Sequence, residues 1–381
     1  MQLMIIFGVI ALAVLATAVY AYLHFFSIKT KSATLSHKQP FKMVAITPED
    51  TPDLSSQDWT SQMQNQGLRL GRLGIKQVIF INGTFVGNDP FDFFKLAGSL
   101  LPDGLEDVIS TLQNFYLDRK HLVWRDKIFD HSYLNLFSQT TNLNASLSEW
   151  SSGNYHFARL LGLINLLYHL QKIEATKERR ILFVAHSHGG QILALLSQVL
   201  RSSKLRRIFL QLGDETGASD LEKYICELAQ IKMDFVTLGT PVRYRFAKWH
   251  KLTLLHIVNH RGIQPLNGNF SGIFTARDGD YIQQLGIAGS DLISPIKKHA
   301  TLSTTLEPFL GEGFNLHAWQ KGLKKPFRLA PQGFNLLVDY QDDTLLPTSF
   351  SKLFGHVVYI QKKYMLFNLT QIADFLEKKN L

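Results

Sequence analysis

The stretch Ile181-Leu182-Phe183-Val184-Ala185-His186-Ser187-His188-Gly189-Gly190 decides how the rest of this chain is read. Its first five residues are apolar or small and read as a strand buried on both faces. A polar triplet between small residues follows, and Gln191-Ile192-Leu193-Ala194-Leu195-Leu196 then begins a helical pattern. Strand, sharp turn and helix in that order place a reactive side chain at a sheet edge. Bulk at Ala185 or Gly189 would collide with the neighbouring strand and helix, while Ser187 would project above the sheet. The helix start beneath it would aim backbone N–H groups and the positive dipole end at a developing oxyanion. Two other readings exist for the same residues: an ordinary strand–helix turn, and a metal site on His186 and His188. The metal reading wants an Asp and a further His directly downstream, where Gly190 and Gln191 stand. His256 and His260 have helical spacing, but no Glu follows His256. No metal is expected.

Working outward, short β-rich runs alternate with helical patterns. Gln77–Ile81 is a strand ending in Asn82-Gly83-Thr84, and Asp89–Lys120 reads as helical, broken at Pro102 and Gly104. Ala145–Trp150 reads as the next strand. Asn154 is a good N-cap for a helix over Tyr155–Ala175, where Leu160, Leu161, Ile164, Leu167 and Leu170 have helical spacing. Met233–Leu238 is a strand closed by Gly239-Thr240-Pro241. Phe334–Val338 is another, running into Asp339-Tyr340-Gln341-Asp342-Asp343-Thr344-Leu345-Leu346-Pro347, and a closing helix is expected over Leu369–Lys379. Alternation of this kind implies an α/β fold with a mostly parallel sheet flanked by helices. Residues 242–331 are too long for a simple connection and rich in aromatic side chains. They read as a cap or lid over an apolar site, or else as added core.

These features resemble the α/β-hydrolase-fold serine lipases and esterases, in particular bacterial lipase-like proteins. The usual elbow of that superfamily is G-x-S-x-G; here Ala185 takes the first glycine position and keeps it small. Trp150, Gly153, Asn154 and Arg159 before the elbow strand, and Leu238-Gly239-Thr240-Pro241 after it, are similar to stretches in such proteins. The resemblance covers most of Gln77–Leu381, with the linker and cap unmatched. It implies Ser187 as nucleophile and His356, in Gly355-His356, as general base. It also implies backbone N–H groups of His188 and Thr84 as oxyanion donors, with Asn82 where the family usually has His. The acid is expected four residues before a Pro, which selects Asp343, with Asp342 second and Asp339 third. Asp291 has the same spacing to Pro295 and competes. Asp343 is preferred because a clear strand precedes it and His356 follows closely. The implied activity is cleavage of a carboxylic, lipid-like ester through an acyl-enzyme, with no cofactor. An acyltransferase or thioesterase with the same triad, and a non-catalytic membrane-tethered scaffold of the same fold, are the alternatives.

With 381 residues, 45% hydrophobic and 19% charged, the chain is long enough for one large α/β domain with insertions. Leu3–Phe26 carries no Asp, Glu, Lys or Arg and is long enough to span a bilayer, with Tyr20, Tyr22, Phe25 and Phe26 at one end. A transmembrane anchor over 3–26 is therefore expected. Residues 27–72 read as a polar linker and 73–381 as the α/β-hydrolase domain, with the cap at about 242–331. Lys29, Lys31, Lys38 and Lys42 follow the span and none precedes it, which puts the domain on the cytoplasmic side. The net charge of +9 comes with no nucleic-acid recognition motif, so anionic headgroups or plain solvated basic faces account for it. The single Cys226 excludes an internal disulfide framework and reads as a core thiol. Nothing in the residues speaks to oligomeric state.

Overall fold

A computed structural model describes residues 42–48, 52–84, 114, 128–213, 221–241, 243–261, 278–288, 291, 293–294, 296–311, 328–341 and 354–380. Among the described residues seven strands form one all-parallel sheet: β1 Lys42–Ile46, β2 Ile75–Ile81, β3 Asn144–Ser148, β4 Arg180–His186, β5 Lys232–Leu238, β6 Leu252–Asn259 and β7 Phe334–Val338. Their order across the sheet is β1-β7-β6-β5-β4-β2-β3. The interior strand β4 pairs β2 on one side and β5, the middle strand, on the other, with Ala185 opposite both Ile81 and Thr237.

The sheet is buried on both faces, and the side-chain period of two divides its apolar residues between two cores. On one face Ile79, Ile81, Ile181, Phe183, Ala185, Met233 and Phe235 pack against α3 His156–Lys172, α4 Gly189–Arg201, α5 Ser203–Leu212 and α6 Leu221–Leu228. On the other, Val78, Phe80, Leu182, Val184, Val236 and Leu238 pack against α1 Gln57–Arg72, α2 His131–Thr141 and α9 Met365–Asn380. Two more helices, α7 Tyr281–Ala288 and α8 Lys297–Leu310, follow β6, and α8 adds Leu306 and Leu310 to the first core.

The domain begins earlier than expected. Residues 42–46, inside the expected linker, form β1 and pair in register with β7, Lys42 opposite Phe334 and Ile46 opposite Val338. Gln57–Arg72 is a helix whose N-cap Ser56 accepts a hydrogen bond from the Trp59 N–H at 3.0 Å. Its composition is polar, yet Trp59, Met63, Gly67 and Leu70 fall on one stripe and are buried. Arg69 on the same helix reaches Asp374 (2.6 Å) and Glu377 (2.5 Å) on α9. The expected cap at 242–331 also holds part of the sheet, since β6 lies between β5 and β7. Three smaller corrections accompany these. The N-cap of α3 is Tyr155 rather than Asn154, whose side chain instead accepts from Arg159. Cys226 is exposed rather than core, with the Arg206 Nη1 at 2.7 Å from its sulfur. The helix expected over Leu369–Lys379 starts one turn earlier, at Met365. Among the described residues no helix is long and apolar enough to cross a membrane. The expected anchor at 3–26 and helical stretch at 89–120 lie outside the described residues, save Asn114.

Helix α1 owes its seat to a glycine. A Cβ on Gly67 would lie 2.0 Å from the backbone oxygen of Thr141 at the end of α2. Helix propensity alone favours Gly67→Ala by about 1 kcal/mol. The overlap with fixed backbone reverses that sign, because overpacking costs roughly 1–3 kcal/mol. Gly67→Ala is expected to lower the urea midpoint of unfolding, whereas Gly71→Ala, where a Cβ meets nothing within 4 Å, is expected to raise it.

Candidate active site

Strand β4 ends at His186, and α4 begins at Gly189 with only Ser187 and His188 between them. That leaves no room for a relaxed loop, and Ser187 takes a left-handed backbone conformation, φ 53°. For a non-glycine residue this costs of order 1–3 kcal/mol, held by the surroundings. The Ser187 N–H donates to the Leu238 carbonyl of β5 at 2.9 Å, and the Gly190 N–H donates back to Ser187 at 3.1 Å. Three glycines make the turn possible. A Cβ on Gly83 would lie 2.4 Å from that of Ser187, one on Gly189 2.6 Å from the Asn82 carbonyl, and one on Gly190 2.2 Å from the Thr240 hydroxyl.

His356 follows β7, and its Nε2 lies 2.8 Å from the Ser187 hydroxyl. Its Nδ1 lies 2.7 Å from a carboxylate oxygen of Asp280. With Nδ1–H donating to Asp280, Nε2 is left as acceptor for the Ser187 proton. All three side chains are buried, Asp280 completely, Ser187 and His356 to 4% residual exposure. The structure thus brings together two of the three residues expected on sequence, Ser187 and His356, and a carboxylate that the sequence reading did not single out. Asp343 and Asp342 lie outside the described residues. Asp339 pairs with Arg261 at 3.2 Å. Asp291 takes a bidentate contact from Arg159 (2.8 and 3.1 Å) and a further one from Arg243. Burial raises the carboxyl of Asp291, but the two guanidinium groups outweigh it and hold the acid well below its ordinary range.

Asp280 lies within 242–331, the segment expected as a cap. Once β6 is in the sheet, Asp280 follows it directly in space, its N–H donating to the carbonyl of the last β6 residue, Asn259, at 2.9 Å. The signal in the sequence was the run Leu252-Thr253-Leu254-Leu255-His256-Ile257-Val258, apolar and β-rich enough for a buried parallel strand.

The expected oxyanion residues lie side by side, the Thr84 hydroxyl 3.2 Å from Nδ1 of His188. Asn82 clamps its neighbours: its side chain donates to the Phe129 carbonyl (3.0 Å) and accepts from the Phe129 N–H (2.8 Å), and its carbonyl accepts from the Trp150 indole (2.9 Å). His186 donates Nε2–H to the carbonyl of His356 at 2.9 Å. Gly239, at φ 58°, is small of necessity, since a Cβ there would lie 2.5 Å from the Tyr359 ring and 2.7 Å from Asp280. His256 accepts from Thr237 (2.6 Å) and donates to the Gln332 carbonyl (3.0 Å), and His260 meets Arg328 at 2.9 Å. Comparison with protein-family profiles, characterised proteins and solved structures yields no match.

Burial holds several of these imidazoles neutral. It pushes His186 down to about 3, and His156 and His256 down to about 4, and it takes His188 well below the ordinary value. The unfolded chain binds those protons near pH 6.5, the ordinary histidine value, while the folded chain refuses them until the pH is about two units lower or more. Stability is therefore complete above about pH 6.5 and falls as the pH drops from there toward 4. The urea midpoint is expected to decline across that window. His256→Gln, which can keep one of the two hydrogen bonds, is expected to make the decline shallower by up to one proton, about 1.4 kcal/mol per pH unit. A flat profile from pH 7 to 5 contradicts the buried neutral histidines.

Proposed function

We propose that this chain is a serine hydrolase of the α/β-hydrolase type that cleaves carboxylic esters through an acyl-enzyme. The observation that carries the reading is the relay Ser187–His356–Asp280 at 2.8 and 2.7 Å, with the serine on a left-handed elbow between strand and helix. The strand order supports it, because the nucleophile follows the interior strand β4, the acid follows β6 and the histidine follows β7. This is the chain order Ser, Asp, His of that superfamily.

Each residue then has a role. Ser187 attacks the ester carbonyl as Nε2 of His356 takes its proton, and the same imidazole returns that proton to the leaving alcohol. Asp280 holds the tautomer with Nδ1–H and stabilises the imidazolium. The tetrahedral oxyanion is received by the backbone N–H groups of His188, at the start of α4, and of Thr84, brought close by Gly83. Water then repeats the sequence on the acyl-enzyme. The uncharged run Leu3–Phe26 supports a membrane-tethered enzyme and with it a lipid-like acyl ester as substrate, whereas Tyr244 and Phe246 of the segment 242–331 belong to the core. An acyl chain buried in such a site contributes about 0.8 kcal/mol per methylene, so medium or long chains are preferred over acetate.

The test is a fluorophosphonate probe combined with turnover of p-nitrophenyl esters of increasing chain length. Ser187→Ala is expected to abolish both labelling and hydrolysis. Asp280→Asn is expected to lower turnover by about ten-thousand-fold, the scale associated with losing this role, and Asp343→Asn to leave turnover within about tenfold of the parent. Severe loss in Asp343→Asn with an active Asp280→Asn overturns the assignment of the acid.

A further inference from the structure

We propose that Tyr359 is a positioning residue for the acid, its hydroxyl sharing with His356 a single oxygen of Asp280 and so setting the basicity of the histidine. This inference rests on the serine-hydrolase reading and adds to it a residue outside the triad. Tyr359 sits in a 3-10 turn, Val358–Ile360, three residues after His356, and is completely buried. Its hydroxyl donates to Asp280 Oδ2 at 2.9 Å, the oxygen that also receives His356 Nδ1–H at 2.7 Å. The same hydroxyl accepts the Asn259 N–H at 2.8 Å, and the direction of that second bond leaves its proton for Asp280. Burial, aided by the charge of Asp280, pushes the phenol well above its ordinary value, so it remains a donor throughout the working range.

The remaining groups around Asp280 make this bond consequential. Oδ1 accepts the Gln283 N–H at 2.8 Å, and the backbone at Gly239 runs so close that a Cβ there would overlap both the Tyr359 ring and Oδ2. The carboxylate is thus pinned by three donors: Nδ1–H of His356, the Tyr359 hydroxyl and the Gln283 amide. Arg328, buried and held by His260 and the Asp278 carbonyl, is a cation that acts on Asp280 through space. His356 itself is faced by Asp280, by the neutral His186 ring at 4.7 Å, by the Ser187 hydroxyl and, at longer range, by neutral His188. None of these other groups donates to Oδ2. A donor on that oxygen draws negative charge away from the His356 proton, which weakens the stabilisation of the imidazolium. Without it, charge returns to Oδ2, His356 becomes more basic, and the carboxylate loses one of its three anchors.

The experiment is the pH profile of kcat/KM for the full chain, with Tyr359→Phe and with 3,5-difluorotyrosine placed at 359, a stronger donor of nearly the same shape. The acid limb of that profile reports the general base in the free enzyme. Tyr359→Phe is expected to move the acid limb upward and to lower kcat by roughly tenfold, the scale of a hydrogen bond to a charged group, with KM unchanged. The fluorinated residue is expected to move the limb downward. Fluorophosphonate labelling of Ser187 persists in both. If Tyr359→Phe does not fold, the fluorinated protein decides alone. An acid limb that stays in place in the folded variants overturns the role of Tyr359 while leaving the hydrolase reading intact. Absence of labelling and ester turnover in the parent protein overturns the hydrolase reading and this proposal with it.

Discussion

Ser187 is held at φ 53° because a strand and a helix meet with two residues between them. The parallel register sets this constraint. Ala185 is locked between Ile81 and Thr237, so the chain leaves the sheet at a fixed height, and the Ser187 N–H is captured by Leu238 of β5. Everything adjacent must then be small or shaped to fit. Gly83 closes on the serine from the β2 side, Gly190 on Thr240 from the β5 side, and Gly189 on the end of β2. A strained residue persists only where its neighbours over-determine it, and three strands and one helix do so here.

Around that elbow a buried polar network joins strand ends that are far apart in sequence. Asn259 ends β6; its carbonyl accepts from Asp280, its N–H donates to Tyr359, and its side chain donates to the Gly355 carbonyl at 2.9 Å. His186 ends β4 and donates to the carbonyl of His356. Asn368 on α9 donates to the Tyr359 carbonyl at 2.8 Å. The turn carrying His356 is therefore fastened from two strands and one helix. Satisfied networks of this kind select one arrangement, because a single missing partner leaves a buried polar group exposed to desolvation with nothing in return.

A second cluster ties the segment after β6 to the body of the domain. Asp291 is enclosed by Arg159 and Arg243, Arg159 also donates to the Tyr244 hydroxyl at 3.0 Å, and that hydroxyl meets His156 at 2.6 Å. Nearby, Tyr155 touches His299, and the Ser303 hydroxyl accepts the Phe157 N–H at 3.2 Å. The Trp150 to Arg159 stretch is thus explained by what it grips. Removing one partner from such a buried ion pair is far more damaging than replacing the whole set, because the remaining charge has no solvent.

Local sequence by itself determined the strand–turn–helix that begins at Ile181, the strands expected at 77–81, 145–150, 233–238 and 334–338 and observed at 75–81, 144–148, 232–238 and 334–338, and Ser187 and His356 as candidates. Those elements are legible because parallel strands buried on both faces read as continuous apolar runs, and because a sharp elbow tolerates only small neighbours. Strand β6 was written in the same code, yet it stood in a long aromatic segment and was absorbed into it. Helix α1 was masked by its polar face, since one buried stripe of Trp59, Met63, Gly67 and Leu70 barely shifts the composition of its window. The carboxylate partner of His356 was decided only by tertiary structure. Spacing to a proline orders aspartates along the chain, but a hydrogen bond selects by distance. Asp280, more than seventy residues from His356, reaches it because β6 and β7 lie side by side and deliver both chain ends to the same edge of the sheet.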